Sequence, residues 1–402
     1  MSGARPVLPE ARVVVVGAGP SGLAAAAALR HAGVGVVTVL EREQAPGGIP
    51  RHTDHLGFGV RDLHRVLRGP VYAARLTAAA AASGADVRCG ATVVEVGGDH
   101  VVLADGTRLD ADAVVLATGI RERPRSARLV PGDRPAGVLT TGAVQQLTAL
   151  HHRDVGTRAV IVGAEHVSFS AIWSLRHGGC RTVAMVTPLP RHQTYAPLRW
   201  LTAGLRRVPV HTGRTVVEIV GRPRVRAVRL DDGTELACDT VVFTGDWVPV
   251  HELVRRAGAT MVPVSKAPAT TSGFHTSITG LFAIGNLVHP AETADVCALD
   301  GCRAAVSVLA WLTERRWPQA PLPMAIDDPA GTVAWAAHTS RGVTVRAASF
   351  GAGTLELLDG DGEVVGRSRR RRLVPNRSIT VGARVGDGVG ADTAVVAVRR
   401  RG

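Results

Sequence analysis

The sequence predicts an α/β protein built on two nucleotide-type strand-turn-helix units, with a small β-rich region at its end. Three observations predict it. An apolar strand at residues 11–16 runs through the turn Gly17-Ala18-Gly19-Pro20-Ser21-Gly22 into an alanine-rich helix. The theme returns at residues 158–171, and each copy is followed by a hairpin and a closing strand that ends in a small-residue turn, at Gly119 and Gly245. From residue 327 onward the chain reads instead as short β-rich runs.

The first turn reads as a dinucleotide site. Gly17 permits the tight turn, Gly19 lets the backbone approach a diphosphate with no Cβ in the way, and Gly22 lets the helix lie close to the strand. The helix that begins there offers unpaired N–H groups and the positive end of its dipole to anionic oxygens. Helical residues run to Arg30, and His31-Ala32-Gly33 reads as a stop. A second β-branched run, residues 34–40, ends at Glu41, 19 residues past Gly22. A carboxylate at that strand tip accepts from both hydroxyls of an unphosphorylated ribose.

A Gly-Pro loop follows, with Pro46, Gly47, Gly48, Ile49 and Pro50 ahead of Arg51 and His52, where backbone can pass close to a flat ligand. Residues 61–67 and 71–76 read as helical, 86–96 as a short β segment, and Asp105-Gly106 as a hairpin turn. Residues 113–119 form a buried strand ending in Ala117-Thr118-Gly119, at the carboxyl edge where open α/β sheets bind ligands. Residues 121–125 read as a linker out of this unit.

The second unit is damaged as a nucleotide site. Glu165 stands where the second glycine belongs and Ser168 where the third belongs. A carboxylate there repels a diphosphate, and its side chain blocks close approach. Thr187 ends the second strand, so no acid meets a ribose. NAD(P) binding in this unit is therefore a weaker expectation than a ligand in the first, and His166, Arg191 and His192 read as satisfied surface residues ahead of the alternative that they form a different site. The stretch 238–247 closes the unit, the chain returns through residues 277–284 to Gly285-Asn286, and residues 291–312 read as a helix.

Composition removes several classes. A net charge of +13 invites nucleic-acid binding, but the excess is nearly all arginine, Lys266 being the single lysine, and it is scattered. The one dense run is residues 367–372, and Trp335 and Phe350 are the only aromatics in the last 80 residues to stack bases, so a solvated or partner-facing basic strand, open to an acidic protein partner, suits it better than nucleic acid. Apolar runs break well before the roughly 18 residues of a membrane span. The first ten residues are too short and mixed for a secretory signal, and a cytoplasmic location is expected. Cys89, Cys180, Cys238, Cys297 and Cys302 are irregularly spaced, with no Cys-x-x-Cys pair, which implies neither a disulfide framework nor a metal set.

Taken together, the turn at 17–22, Glu41, Ala117-Thr118-Gly119, the second unit and residues 279–286 resemble the two-dinucleotide-domain flavoproteins of the pyridine nucleotide-disulfide oxidoreductase superfamily. The resemblance spans about residues 10 to 315. It implies an FAD-binding Rossmann-like domain at 10–125, completed by 247–320, with an inserted NAD(P)-like domain at 126–246 and a small β domain at 325–402. By that likeness FAD is the ligand of the first domain. Gly17, Ala18, Gly19, Pro20, Ser21 and Gly22 would hold its diphosphate and Glu41 its adenosine ribose, with Arg42, Gly48, Ile49, Val94, Ala117, Thr118 and Gly119 beside it. Gly285 and Asn286 would meet the ribityl and phosphate region, and the helix beyond them would aim its N-terminus at the flavin. Relatives more often have Asp where Asn286 stands.

Within this group the chain is most similar to FAD-binding α subunits of the hydrogen cyanide synthase, opine oxidase and dye-linked proline dehydrogenase type. Residues 47–50, 55–59 and 69–73 also resemble flavoproteins that accompany glycerol-3-phosphate-dehydrogenase-like subunits. Those accessory proteins often have Cys near His52 to His55, where this chain has none. The expectation is an FAD-dependent electron-transfer subunit of a multicomponent amine, amino-acid or hydroxy-acid dehydrogenase, working with a second subunit. A stand-alone NAD(P)H-dependent reductase and a non-catalytic FAD-containing scaffold are the alternatives. No catalytic residue is fixed by motif, and Arg51, His52 and His55 are the candidates for the flavin face.

Overall fold

A computed structural model describes residues 8–204, 207–339, 342–382, 395 and 397–402. The near-continuous valine runs become strands buried on both faces, as parallel strands joined by crossover helices must be. The first sheet orders Leu281–Ala283, Ala113–Leu116, Arg12–Val16, Val36–Glu41 and Asp86–Cys89, all parallel. Val16 pairs with both Leu40 and Leu116, and Leu116 with Ala283. That register brings Gly17, Glu41, Ala117 and Gly285 out at one edge.

The second sheet repeats the plan: Val138–Thr140, Thr240–Phe243, Arg158–Val162, Arg181–Thr187 and Val210–Thr212, again all parallel. Only the outer strand differs in origin, coming from late in the chain in the first sheet and from before the turn in the second. Each sheet carries a three-stranded antiparallel flap, at residues 93–110 and 216–237. The linker read at 121–125 begins in a two-stranded ribbon, in which Ile120–Glu122 pairs with Trp247–Pro249, and leads into a short 3-10 turn at Arg125–Arg128. The chain thus leaves the first sheet and re-enters it at one place.

Two helices hold the first site. Helix Pro20–His31 packs against helix Ala294–Glu314 so closely that a Cβ on Gly301 would lie 2.1 Å from the Ser21 carbonyl oxygen. The longer helix is the one described helix long and apolar enough to cross a membrane, which the apolar runs alone did not suggest. Here half of it is buried in the protein, and it carries the buried carboxylates of Asp295 and Asp300.

The β-rich end is observed from Ala325, with one sheet around Gly351–Leu358 and another of Val333–Thr339, Gly342–Ala347 and Ser378–Val381. Residues 340–341, 383–394 and 396, part of the β domain expected at the end, lie outside the described residues. Two local expectations need correction. Residues 86–96 form two strands in different sheets. Residues 61–66 are turns rather than helix, because carboxylates and a loop carbonyl take their backbone N–H groups: Arg61 N–H donates to Asp295, Leu63 N–H to Asp62, and Arg65 N–H to the Gly59 carbonyl.

Candidate functional site

The first turn has the shape its glycines require. Gly17 sits at φ +107°, and a Cβ there would lie 2.5 Å from the Ala117 carbonyl oxygen. A Cβ on Gly22 would lie 2.0 Å from the Gly17 oxygen, so the helix can approach the strand only without one. Gly19 is different. It is the N-cap of helix Pro20–His31, no side chain caps it, and nothing lies within 4 Å of where its Cβ would be. The space before an uncapped helix N-terminus is therefore open, and its first N–H groups have no partner in their own helix. This cradle fits a diphosphate.

The surroundings complete it. The Glu41 carboxylate accepts from Ala18 N–H at 2.9 Å and Glu43 N–H at 3.0 Å, which fixes it at the strand tip with acceptor capacity to spare. Gly47 N–H donates to the Ala18 carbonyl, and a Cβ on Gly48 would come within 2.9 Å of the Gly19 Cα. The loop read as lying along a flat ligand thus lies on the turn itself. Gly285 abuts Ser21, where a Cβ would be 2.1 Å from its hydroxyl. Thr118 donates its hydroxyl to the Val250 carbonyl at 2.7 Å, and Gly119, at φ +72°, faces open space. Arg42, Ile49 and Val94 are exposed. Asn286 is occupied otherwise than expected: its amide donates to the Glu292 carbonyl at 3.0 Å and accepts from Glu292 N–H at 2.6 Å, closing the loop that leads into helix Ala294–Glu314.

The second turn is shut. Glu165 is the N-cap of helix His166–His177 and, with Ser168, forms a reciprocal capping box. Its carboxylate also accepts from Ala164 N–H at 3.1 Å, and it is 5% exposed. Ser168 accepts from Glu165 N–H and lies 2.6 Å from the Thr244 hydroxyl. The N-cap and third-residue N–H groups of this helix are thus satisfied by its own side chains, where Gly19 in the first unit offers none. Loop 191–195 then covers the turn. Gln193 N–H donates to the Ala164 carbonyl, His166 bonds Thr194 and stacks on Tyr195, and Arg377 of the β-rich end lies 4.0 Å over the Tyr195 ring.

Arg51 and His52 come together in a cleft of about 350 Å³ between the two units, beside Asp54, His152 and His177. Arg51 pairs with Glu43. His52 is buried, its Nδ1 has no partner, and burial pushes its pKa down to about 4, with Glu43 opposing and Arg51 adding to the shift. His55 does not join them. Its ring packs between Phe58 and Trp173 and its Nδ1 bonds the Leu56 carbonyl, a structural role.

Sequence reasoning missed a second buried group beside the cradle. His289 is fully buried and bonds Asp300 at 2.6 Å through Nε2, while its Nδ1 has no partner. Burial opposes its protonation, but the Asp300 carboxylate outweighs that and raises its pKa. Arg346, from the β-rich end, donates to the Ala291 carbonyl of the same loop at 3.0 Å. The available signal was the carboxylate of Asp300 among the small and apolar residues Val296, Cys297, Ala298, Leu299 and Gly301 of the helix.

Two parallel dinucleotide-type sheets, one set into the other, with one open glycine cradle, define a flavoprotein of the two-dinucleotide-fold class. The chain belongs to the pyridine nucleotide-disulphide oxidoreductase family, whose sequence profile matches residues 11–301. It is an FAD-dependent oxidoreductase, with FAD as its cofactor. It is 28% identical to indole-3-pyruvate monooxygenase YUCCA1 of Oryza sativa subsp. japonica, over 65% of this chain and 85% of that protein. The fold is similar to thioredoxin reductase of T. acidophilum, with a TM-score of 0.64 and 21% identity over 75% of this chain and 98% of that one. It is also similar to an NAD-dependent persulfide reductase from A. fulgidus, with a TM-score of 0.58 and 19% identity over 93% and 74% of the two chains.

Proposed function

We propose that this chain is the FAD-binding electron-transfer subunit of a multicomponent dehydrogenase acting on amines, amino acids or hydroxy acids. The observation that carries the reading is the closed second turn, where Glu165, Ser168 and loop 191–195 occupy the ground on which a nicotinamide dinucleotide would rest its diphosphate. The chain also has no Cys-x-x-Cys pair, and its five cysteines are free. With neither a nicotinamide cradle nor a paired dithiol, the electrons of the flavin exchange with a partner subunit or its acceptor.

When bound, FAD supplies two-electron redox chemistry. The residues here bind and orient it: the turn at Gly17, Gly19 and Gly22 takes the diphosphate, and Glu41 the adenosine ribose. Arg51 and His52 face the cleft between the units. His52, neutral at neutral pH, offers an imidazole nitrogen to a proton in that cleft, and Arg51 offers a positive charge to an anionic group.

Anaerobic mixing of the flavin-loaded chain with NADH, NADPH or dithionite tests the reading. Dithionite bleaches the flavin and the nicotinamides do not, while the complex isolated from native extract is reduced by an amine, imino acid or hydroxy acid. Rapid bleaching by NADH or NADPH would replace this reading with the stand-alone reductase.

A further inference from the structure

Between loop 191–195 and the β-rich end lies a cleft of about 500 Å³. Four arginines line it, Arg191, Arg371, Arg372 and Arg377, and no carboxylate does among the described residues. This is not the habit of the neighbouring arginines. Arg367 and Arg401 pair with Glu356 at 2.6 and 2.8 Å, Arg399 with Asp327 at 2.6 Å, and Arg400 with Asp328 at 3.4 Å. Four arginines of the same small region thus have carboxylate partners, whereas the four that line the cleft face no carboxylate there.

The cleft is also built to hold guanidinium groups still. Arg191 lies 4.2 Å over the Phe350 ring and Arg377 4.0 Å over the Tyr195 ring, and Arg377 Nε–H donates to the Gln193 carbonyl at 2.6 Å, which fixes both guanidinium groups and leaves their terminal N–H groups for an anionic partner. The positive field is felt nearby. His166 is depressed to about 4 by burial first, then by Arg377 and Arg346. Four cations in one concavity repel each other unless an anion enters, and a guanidinium takes phosphate oxygens two at a time. The volume is that of a small-molecule site rather than of a flat protein contact.

We propose that this cleft binds a phosphorylated small molecule carrying at least two negative charges, gripped from both sides by Arg191 and by Arg371, Arg372 and Arg377. Such a ligand ties the loop that covers the second turn to the β-rich end. It acts as a clasp on the closed unit, apart from the flavin cradle.

Calorimetric titration of the flavin-loaded full chain with inorganic pyrophosphate and with ATP tests this, the flavin keeping the first cradle filled. Saturable binding that weakens with added salt is expected. Binding about tenfold weaker in Arg371→Gln/Arg372→Gln, and again in Arg191→Gln, with Arg372→Lys keeping most of it, locates the ligand. Both exposed arginines of the double variant lie outside the hydrophobic core, so folding is expected to survive. Tighter binding of ATP than of pyrophosphate assigns a nucleotide, and equal binding assigns the diphosphate group alone. Absence of saturable heat with either probe, or unchanged affinity in the arginine variants, overturns the proposal.

Discussion

The two glycine turns of this chain start from equivalent central strands, Arg12–Val16 and Arg158–Val162, lead into helices of the same length and end in opposite states. In the first, Gly19 leaves the helix N-terminus uncapped and the space before it open. In the second, Glu165 folds over the equivalent N-terminus, Gln193 and Tyr195 lie against its neighbours Ala164 and His166, and Arg377 lies over Tyr195. The lesson is that a dinucleotide fold and a dinucleotide site are separable. The helix dipole and its orphan N–H groups attract whichever anion is available, and a side-chain carboxylate held in place by the chain answers that demand without a ligand.

Exchanging features between the turns breaks the comparison most sharply. Gly19→Glu rebuilds the second turn in the first. Its carboxylate faces the diphosphate, so FAD affinity falls about a hundredfold or more, while the fold survives because nothing lies within 4 Å of where the new Cβ would be. Flavin content against circular dichroism reads both. Gly22→Ser copies the third-glycine replacement, but here the new Cβ meets the Gly17 oxygen at 2.0 Å. A loss of about 3 kcal/mol or more in unfolding free energy is expected, with flavin lost alongside, by denaturant titration.

Acid sharpens the contrast at smaller cost. His52 beside the first unit and His166 on the second turn are both lowered to about 4, chiefly by burial, with Arg377 also lowering His166. Their folded values lie below the unfolded value of about 6.5, so the stability they give is present above that pH and is lost as pH falls toward 4. His52→Gln flattens the acid limb of flavin release and His166→Gln flattens only that of unfolding, as flavin fluorescence and circular dichroism followed over the same pH range would separate. The smallest effect is Glu165→Gly, which removes a side-chain cap and costs about a few tenths of a kcal/mol by thermal unfolding. It leaves flavin content unchanged and gives no reduction by NADPH, since loop 191–195 still covers the turn.

The sheets were legible because buried parallel strands announce themselves as unbroken valine runs and each glycine turn marks where strand becomes helix. The defect at Glu165 and Ser168 was legible too, as two substitutions in a spaced pattern. What the pattern did not carry is what the side chain does once there: a capping box depends on the helix N-terminus being formed around it. The cover from Arg377 and the pairing of His289 with Asp300 are likewise contacts between segments far apart in the chain. Residues 61–66 misled for the same reason, since Asp295 that takes the Arg61 N–H comes from a distant helix.

Hydrogen–deuterium exchange of the two helix N-termini, measured without ligand, with FAD and with NADPH added to the flavin-loaded chain, tests the central claim most directly. The account predicts that FAD slows exchange across residues 17–24 and that NADPH leaves residues 163–170 as they were. Strong protection of 163–170 by NADPH, or none of 17–24 by FAD, would contradict it.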